Sequence, residues 1–260
     1  RLERRRPINY FVHSVSDRGA ITDGYNRSMY GMRKLIHLAS QYDFENANKN
    51  KLRFDIDYGK ENFGRKYVGL MPSGKTKAMM EIRSMAAMLQ KAKDMNASDE
   101  VKDKLWTLTA YFNSLKDLGK AATMVDDDVK DFMKRMCYRL KSNAEVRKIG
   151  TADELTSRVS TTQLNQTLDK LEKNKYSTEN MKNPLPPYPC NVLLATNMIS
   201  VGIDVARLNV MLLVGQPKLT SEYIQASSRV GREYPGVAFA MYDGGKSRDR
   251  SHYEQFRPYH

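Results

Sequence analysis

Cysteine is nearly absent from these 260 residues: Cys137 and Cys190 are the only two, far apart and in no C-x-x-C pair. The four histidines, at positions 13, 37, 252 and 260, are scattered. No metal-ligand spacing exists, and no metal site is expected. Two isolated thiols fit a reduced, cytoplasmic protein rather than a disulfide scaffold. Long apolar runs are missing too. The apolar segments, Val210 to Val214 among them, are strand-sized, far short of the ~20 residues a membrane span needs, so no membrane partner is expected. RLERRRP at the start carries charge without an apolar segment behind it, which argues against a signal peptide. The chain begins with Arg1 rather than Met, and a piece of a longer polypeptide is the expectation.

What the chain has in excess is positive charge. Lys and Arg number 43 against 30 Asp and Glu, a formal net charge of +13. A bias of this size is the footprint of a polyanionic partner, nucleic acid before an anionic membrane surface. Its length leaves room for one or two domains with a sizeable core.

The first hundred residues read as mostly helical. Met29, Met32, Leu35, Ile36 and Ala39 fall on one helical face, and Met79, Ile82, Met85, Ala86 and Leu89 on another. Asn96 to Glu100 reads as a boundary, dividing the chain into an accessory or linker region, 1–100, and an α/β region, 101–260. In the second part LWTLTAYF (105–112) has strand composition, and helices are expected over 115–123 and 126–140. Leu155 to Val159 reads as a short strand. Ser160 and Gln163 form a capping box before Leu164, Leu168 and Leu171. NPLPPYPC (183–190) is a surface connection, NVLLA a buried strand ending at Thr196, and Asn209 to Val214 another. Strands alternating with helices predict a parallel sheet flanked by helices.

Gly69-Leu-Met-Pro-Ser-Gly74-Lys75-Thr76 satisfies the phosphate-cradling pattern G-x-x-x-x-G-K-[ST]. A strand over Tyr67 to Leu70 and a helix from Thr76 would aim backbone N–H groups at a phosphate. Such a site also needs an acidic strand end for Mg²⁺, and no Asp-Glu box follows; Asp126, Asp127 and Asp128 open a helix instead. Two readings stand: a self-contained ATPase built on Lys75 and Thr76, or a turn that matches by chance and feeds an amphipathic helix.

The densest signal runs from Asn191 to Gly236. ATNMISVGID and QASSRVGR follow one another here, with YFNSL some eighty residues upstream. In that order the three resemble the later motifs of superfamily 2 helicases, and residues 105–243 resemble the second, RecA-like lobe of that family. ELTSRVS, TLTAYFNSLKDLG and QPKLTSEYIQASSRVGR are similar, more narrowly, to the helicase of bacterial DISARM-type anti-phage systems. The resemblance implies that Asn113, Ser114 and Thr196 meet the nucleic-acid backbone, DNA rather than RNA. It implies that Gly202, Asp204 and Gln225 lie beside ATP, and that Arg229 and Arg232 cross a cleft toward the γ-phosphate. ATP and Mg²⁺ would be held mainly by a first RecA-like lobe outside this chain. A non-enzymatic nucleic-acid adaptor that keeps only the fold is the other class.

The chemistry asks for those residue types. Phosphoryl transfer spreads negative charge over oxygens that a planar, permanently charged guanidinium fork can meet. Each residue also has a plainer role open to it. Thr196 can end a strand, Ser114 can cap a helix, and Asp204 can cap a turn. Tyr10, Phe11, Trp106, Tyr253, Phe256 and Tyr259 can stack on bases or fill the core.

Overall fold

Six short segments build one sheet in this computed structural model: β1 (Arg65–Leu70), β2 (Leu108–Phe112), β3 (Asp153–Leu155), β4 (Val192–Ala195), β5 (Val210–Val214) and β6 (Gly236–Met241). The structure describes residues 65–72, 74–139, 145–182, 187–196, 205, 207–232 and 234–256. The helix expected near 27–42 and the residues Gly202 and Asp204 lie outside these. The strand order is β1-β6-β5-β2-β4-β3, and every neighbouring pair is parallel. All carboxyl ends therefore share one edge and all amino ends the other.

Burial on both faces explains why VLLA and VMLLV read as unbroken apolar runs. Along β6, Val237, Phe239 and Met241 join one core, while Ala238 and Ala240 join the other. The first core lies under α1 (Lys77–Asp94), α2 (Asp99–Trp106), α3 (Leu115–Met124) and α4 (Lys130–Arg139). The opposite core lies under α5 (Thr161–Lys173), α7 (Thr220–Ser227) and α8 (Ser247–Glu254); the short α6 (Thr178–Lys182) follows α5. This is a RecA-like α/β arrangement, a parallel sheet covered on both faces. It takes in β1 and α1, so residues 65–100 share sheet and core with the residues that follow.

Local chemistry sets the helix starts. Thr76, Ser98, Ser114 and Ser160 each accept a backbone N–H from the first turn of α1, α2, α3 and α5. The Ser160–Gln163 capping box forms as its spacing predicts. Three expectations shift. LWTLTAYF is not all strand: Leu105 and Trp106 complete the buried face of α2, and pairing begins at Leu108. The helices at 115–123 and 126–140 are one helical run, because the three aspartates sit in a π turn (Val125–Val129) that passes from α3 into α4 without a break. Leu155 ends β3 instead of opening a strand through Val159.

Two buried arginines hold the amino-end edge. Arg147, 2% exposed, donates to the Leu89 and Trp106 carbonyls at 3.0 and 2.8 Å and to Asn191 Oδ1 at 2.9 Å. Its guanidinium stacks 3.6 Å over the Trp106 ring. Burial pulls its pKa down to about 9. Arg207 donates to the Leu171 and Asn174 carbonyls and pairs with Asp103, both side chains being buried. Trp106 and Phe256 are core residues, not stacking platforms, and Tyr253 packs edge-on to Tyr242 at 5.7 Å.

Candidate nucleic-acid and nucleotide interfaces

The candidate residues divide between the two edges of the sheet. At the carboxyl-end edge, Asn113 and Ser114 follow β2, and Thr196 follows the adjacent β4. On the other side of β2, Gly215 and Gln216 follow β5. From β2 the chain leaves by α3 on one face, and from β5 it leaves by α7 on the opposite face. That divergence makes a crevice at a topological switch point, the usual place for a ligand in an open parallel sheet.

Hydrogen bonds organise this crevice. Asn113 Nδ2 donates to the Gln216 carbonyl at 3.2 Å, and Arg248 on α8 donates to the same oxygen. Gly215 takes φ +88°, and a Cβ there would stand 3.2 Å from Asn113 Nδ2, so glycine admits the amide. Ser114 Oγ accepts the Asp117 N–H at 3.1 Å and donates to Asp117 Oδ2 at 2.8 Å, which is its plainer capping role. Thr196 is half-buried, its N–H on the Leu155 carbonyl at 3.4 Å. Gln216 Oε1 is buried and meets no donor among the described residues. Arg248, with 43% of its side chain exposed, is the cation at this crevice. Its segment carries no motif, so the sequence does not single it out.

An unusual carboxylate lies near Asp117. Burial pushes Glu81 on α1 up to about 7; Lys77 one turn earlier opposes this and Asp117 on α3 adds to it. A folded-state value above the ordinary one near 4.5 favours the protonated form. Its contribution is present below the unfolded value and is lost as pH rises toward 7. Stability is expected to fall between about pH 4.5 and 7, and Glu81→Gln should flatten that slope in urea titrations.

The second group sits at the opposite edge. Helix α7 descends from the carboxyl end of β5, with Gln225 exposed on its surface. The helix ends at Ser227; Arg229 is half-buried beyond it and Arg232 is exposed. The two arginines do not share a helical face, because Gly231 between them takes φ +65° and turns the chain. The turn is tight. A Cβ on Gly236 would lie 2.6 Å from Gly231 Cα, and the Gly231 N–H reaches the Leu208 carbonyl at 3.0 Å. Strands of five residues put the two edges about 17 Å apart.

The turn at Gly69 to Thr76 joins neither group. It leaves the end of β1, the edge strand bonded only to β6. Gly69 is buried, and Gly74, Lys75 and Thr76 are exposed. The Thr76 hydroxyl takes the Met79 N–H at 3.2 Å as the cap of α1. Among the described residues no group of three or more His, Cys, Asp or Glu is placed to hold a metal ion. No described helix is long and apolar enough to cross a membrane.

Comparison with known proteins adds to this geometry. Residues 141–233 match the helicase conserved C-terminal domain. Over 199 residues, 75% of this chain, the sequence is 40% identical to the DISARM protein DrmA of Bacillus paralicheniformis, and the match takes in 17% of that protein. Among solved structures, the helicase MrfA bound to DNA and AMPPNP is 12% identical over 74% of this chain and 22% of its own, with a TM-score of 0.49. A DEAD box protein from Methanococcus jannaschii is 18% identical over 61% of this chain and 34% of its own, with a TM-score of 0.37.

Proposed function

We propose, for a chain that carries the C-terminal, RecA-like lobe of a superfamily 2 helicase and is related to a DISARM protein, that it is the DNA-gripping and arginine-supplying half of an ATP-driven motor in cytoplasmic phage defence. The observation that carries this reading is the separation of the two groups. One edge offers a crevice of amide, hydroxyl and guanidinium groups, and the other displays two arginines on a glycine-bent loop. A motor needs both, far enough apart that strand and nucleotide bind at once.

At the carboxyl-end edge the backbone of one strand lies along Thr196, Ser114 and Arg248. Asn113 acts indirectly, because its amide already holds the Gln216 carbonyl. At the opposite edge Gln225, Arg229 and Arg232 face the γ-phosphate of ATP, whose Mg²⁺ and remaining contacts come from the first lobe. When bound, ATP supplies the phosphoryl group that is transferred to water, and the arginines reach it only once the lobes have closed. The arginines offer only donors and permanent charge, which suits the triphosphate's far end and not a complete nucleotide site. Gly202 and Asp204, which lie outside the described residues, are assigned to the same ATP site by their motif.

Binding to single-stranded DNA tests the first edge. Affinity should fall linearly in log–log with salt, and Arg248→Ala should weaken it while lowering the slope by about 0.7, the loss of one phosphate contact. A slope unchanged by the substitution would remove Arg248 from the strand path.

A further inference from the structure

Arg65, the first residue of β1, grips the loop that carries the two arginines. Its Nε donates to the Val230 carbonyl at 2.6 Å and one terminal nitrogen to the Ser228 carbonyl at 3.1 Å. Those two carbonyls flank Arg229 on either side. The other terminal nitrogen donates to the Tyr67 hydroxyl at 3.2 Å, and that hydroxyl stands 3.4 Å from Ser227 Oγ at the end of α7. One planar guanidinium thus ties the end of α7, the Ser228–Arg229 peptide and the Val230–Gly231 peptide to a single strand residue. Arg65 is also the register partner of Gly236, the glycine packed against Gly231. The loop is closed from both sides.

We propose that Arg65 is a positioning residue for ATP hydrolysis, a clamp that fixes the arginine loop from the strand by which the chain enters the lobe. The idea rests on the reading of Arg229 and Arg232 as phosphate-facing, and adds how their loop is set. Arg65 is the first described residue of the sheet. The arginine loop is thereby coupled to β1 through two hydrogen bonds from the Arg65 side chain to its backbone carbonyls. Lysine cannot replace the clamp, because one ammonium on a flexible stem lacks the rigid fork that spans both carbonyls. A loop displaced by 1 Å can cost about 10² in rate.

The test uses the polypeptide or complex that contains this chain and the first lobe, with steady-state ATPase at saturating single-stranded DNA. Arg65→Ala is expected to lower kcat by about 10²-fold while KM for ATP and DNA affinity stay within about twofold. Arg65→Lys should stay at least about tenfold down, and Tyr67→Phe should lose less, since it removes only the side support. Arg229→Ala runs beside them. If Arg229→Ala hydrolyses ATP at the normal rate, the phosphate-facing reading fails and the clamp with it. If Arg229→Ala is inactive and Arg65→Ala keeps its kcat, the clamp alone is overturned. Equal losses in kcat, DNA affinity and thermal midpoint would also overturn it, leaving Arg65 a purely structural residue. Should Arg65→Ala fail to fold, normal kcat in both Arg65→Lys and Tyr67→Phe decides against it.

Discussion

Arg232→Ala is expected to lower DNA-stimulated ATP turnover by about 10³- to 10⁵-fold, the worth of an arginine supplied across a cleft to a transferring phosphoryl group. DNA affinity should stay within about twofold, because Arg232 lies on the edge of the sheet away from Asn113, Ser114 and Thr196, about 17 Å off across the strands. Exposure of Arg232 makes the prediction clean. As a surface side chain it can be truncated without opening a cavity in the core. Arg229 is half-buried in the same loop, and its substitution combines the lost charge with a perturbed turn. Steady-state ATPase with fluorescence anisotropy on labelled DNA reads both quantities on one preparation.

The second large effect concerns stability. Asp103→Ala is expected to destabilise the lobe by about 3–5 kcal/mol, because it leaves the buried Arg207 without its anion. It also removes the acceptor of the Tyr176 N–H at 2.6 Å. Urea unfolding gives the free energy, and the thermal midpoint should drop by about 10 °C. Asp103→Ala combined with Arg207→Leu should cost less than Asp103→Ala alone, since the uncompensated charge is then gone. Arg207 stands just before β5, so the pair also anchors the chain entering that strand. Loss of the pair is expected to lower ATPase in the surviving folded fraction.

Much of the sheet is legible before any coordinates. VLLA and VMLLV are short apolar runs that read as buried strands, and the Ser160 capping box marks the start of α5. The limits have physical causes. Leu105 and Trp106 suit a strand by composition, yet the cap at Ser98 and the Val101–Leu105 spacing place them in a helix. Nothing in the arginine motif signals β6 after it, although β6 is what brings β1 and α1 into the sheet. The match at Gly69 to Thr76 is a local pattern, and only strand order reveals that it sits on an edge strand. Motif order assigns Thr196 and Asn113 to one role and Arg232 to another without saying how far apart they lie, and the strand order puts them at opposite edges. The Arg65 clamp spans 165 residues of sequence and has no local signature.

The central claim is that this chain is half a nucleotide site. Titration of a fluorescent ATP analogue with Mg²⁺ into this 260-residue chain, beside its Lys75→Ala variant, tests that claim most directly. The account predicts no saturable binding by either protein, with binding appearing only when the first lobe is supplied. Micromolar affinity in the chain alone that vanishes in Lys75→Ala would contradict it and make Gly69 to Thr76 a working phosphate cradle.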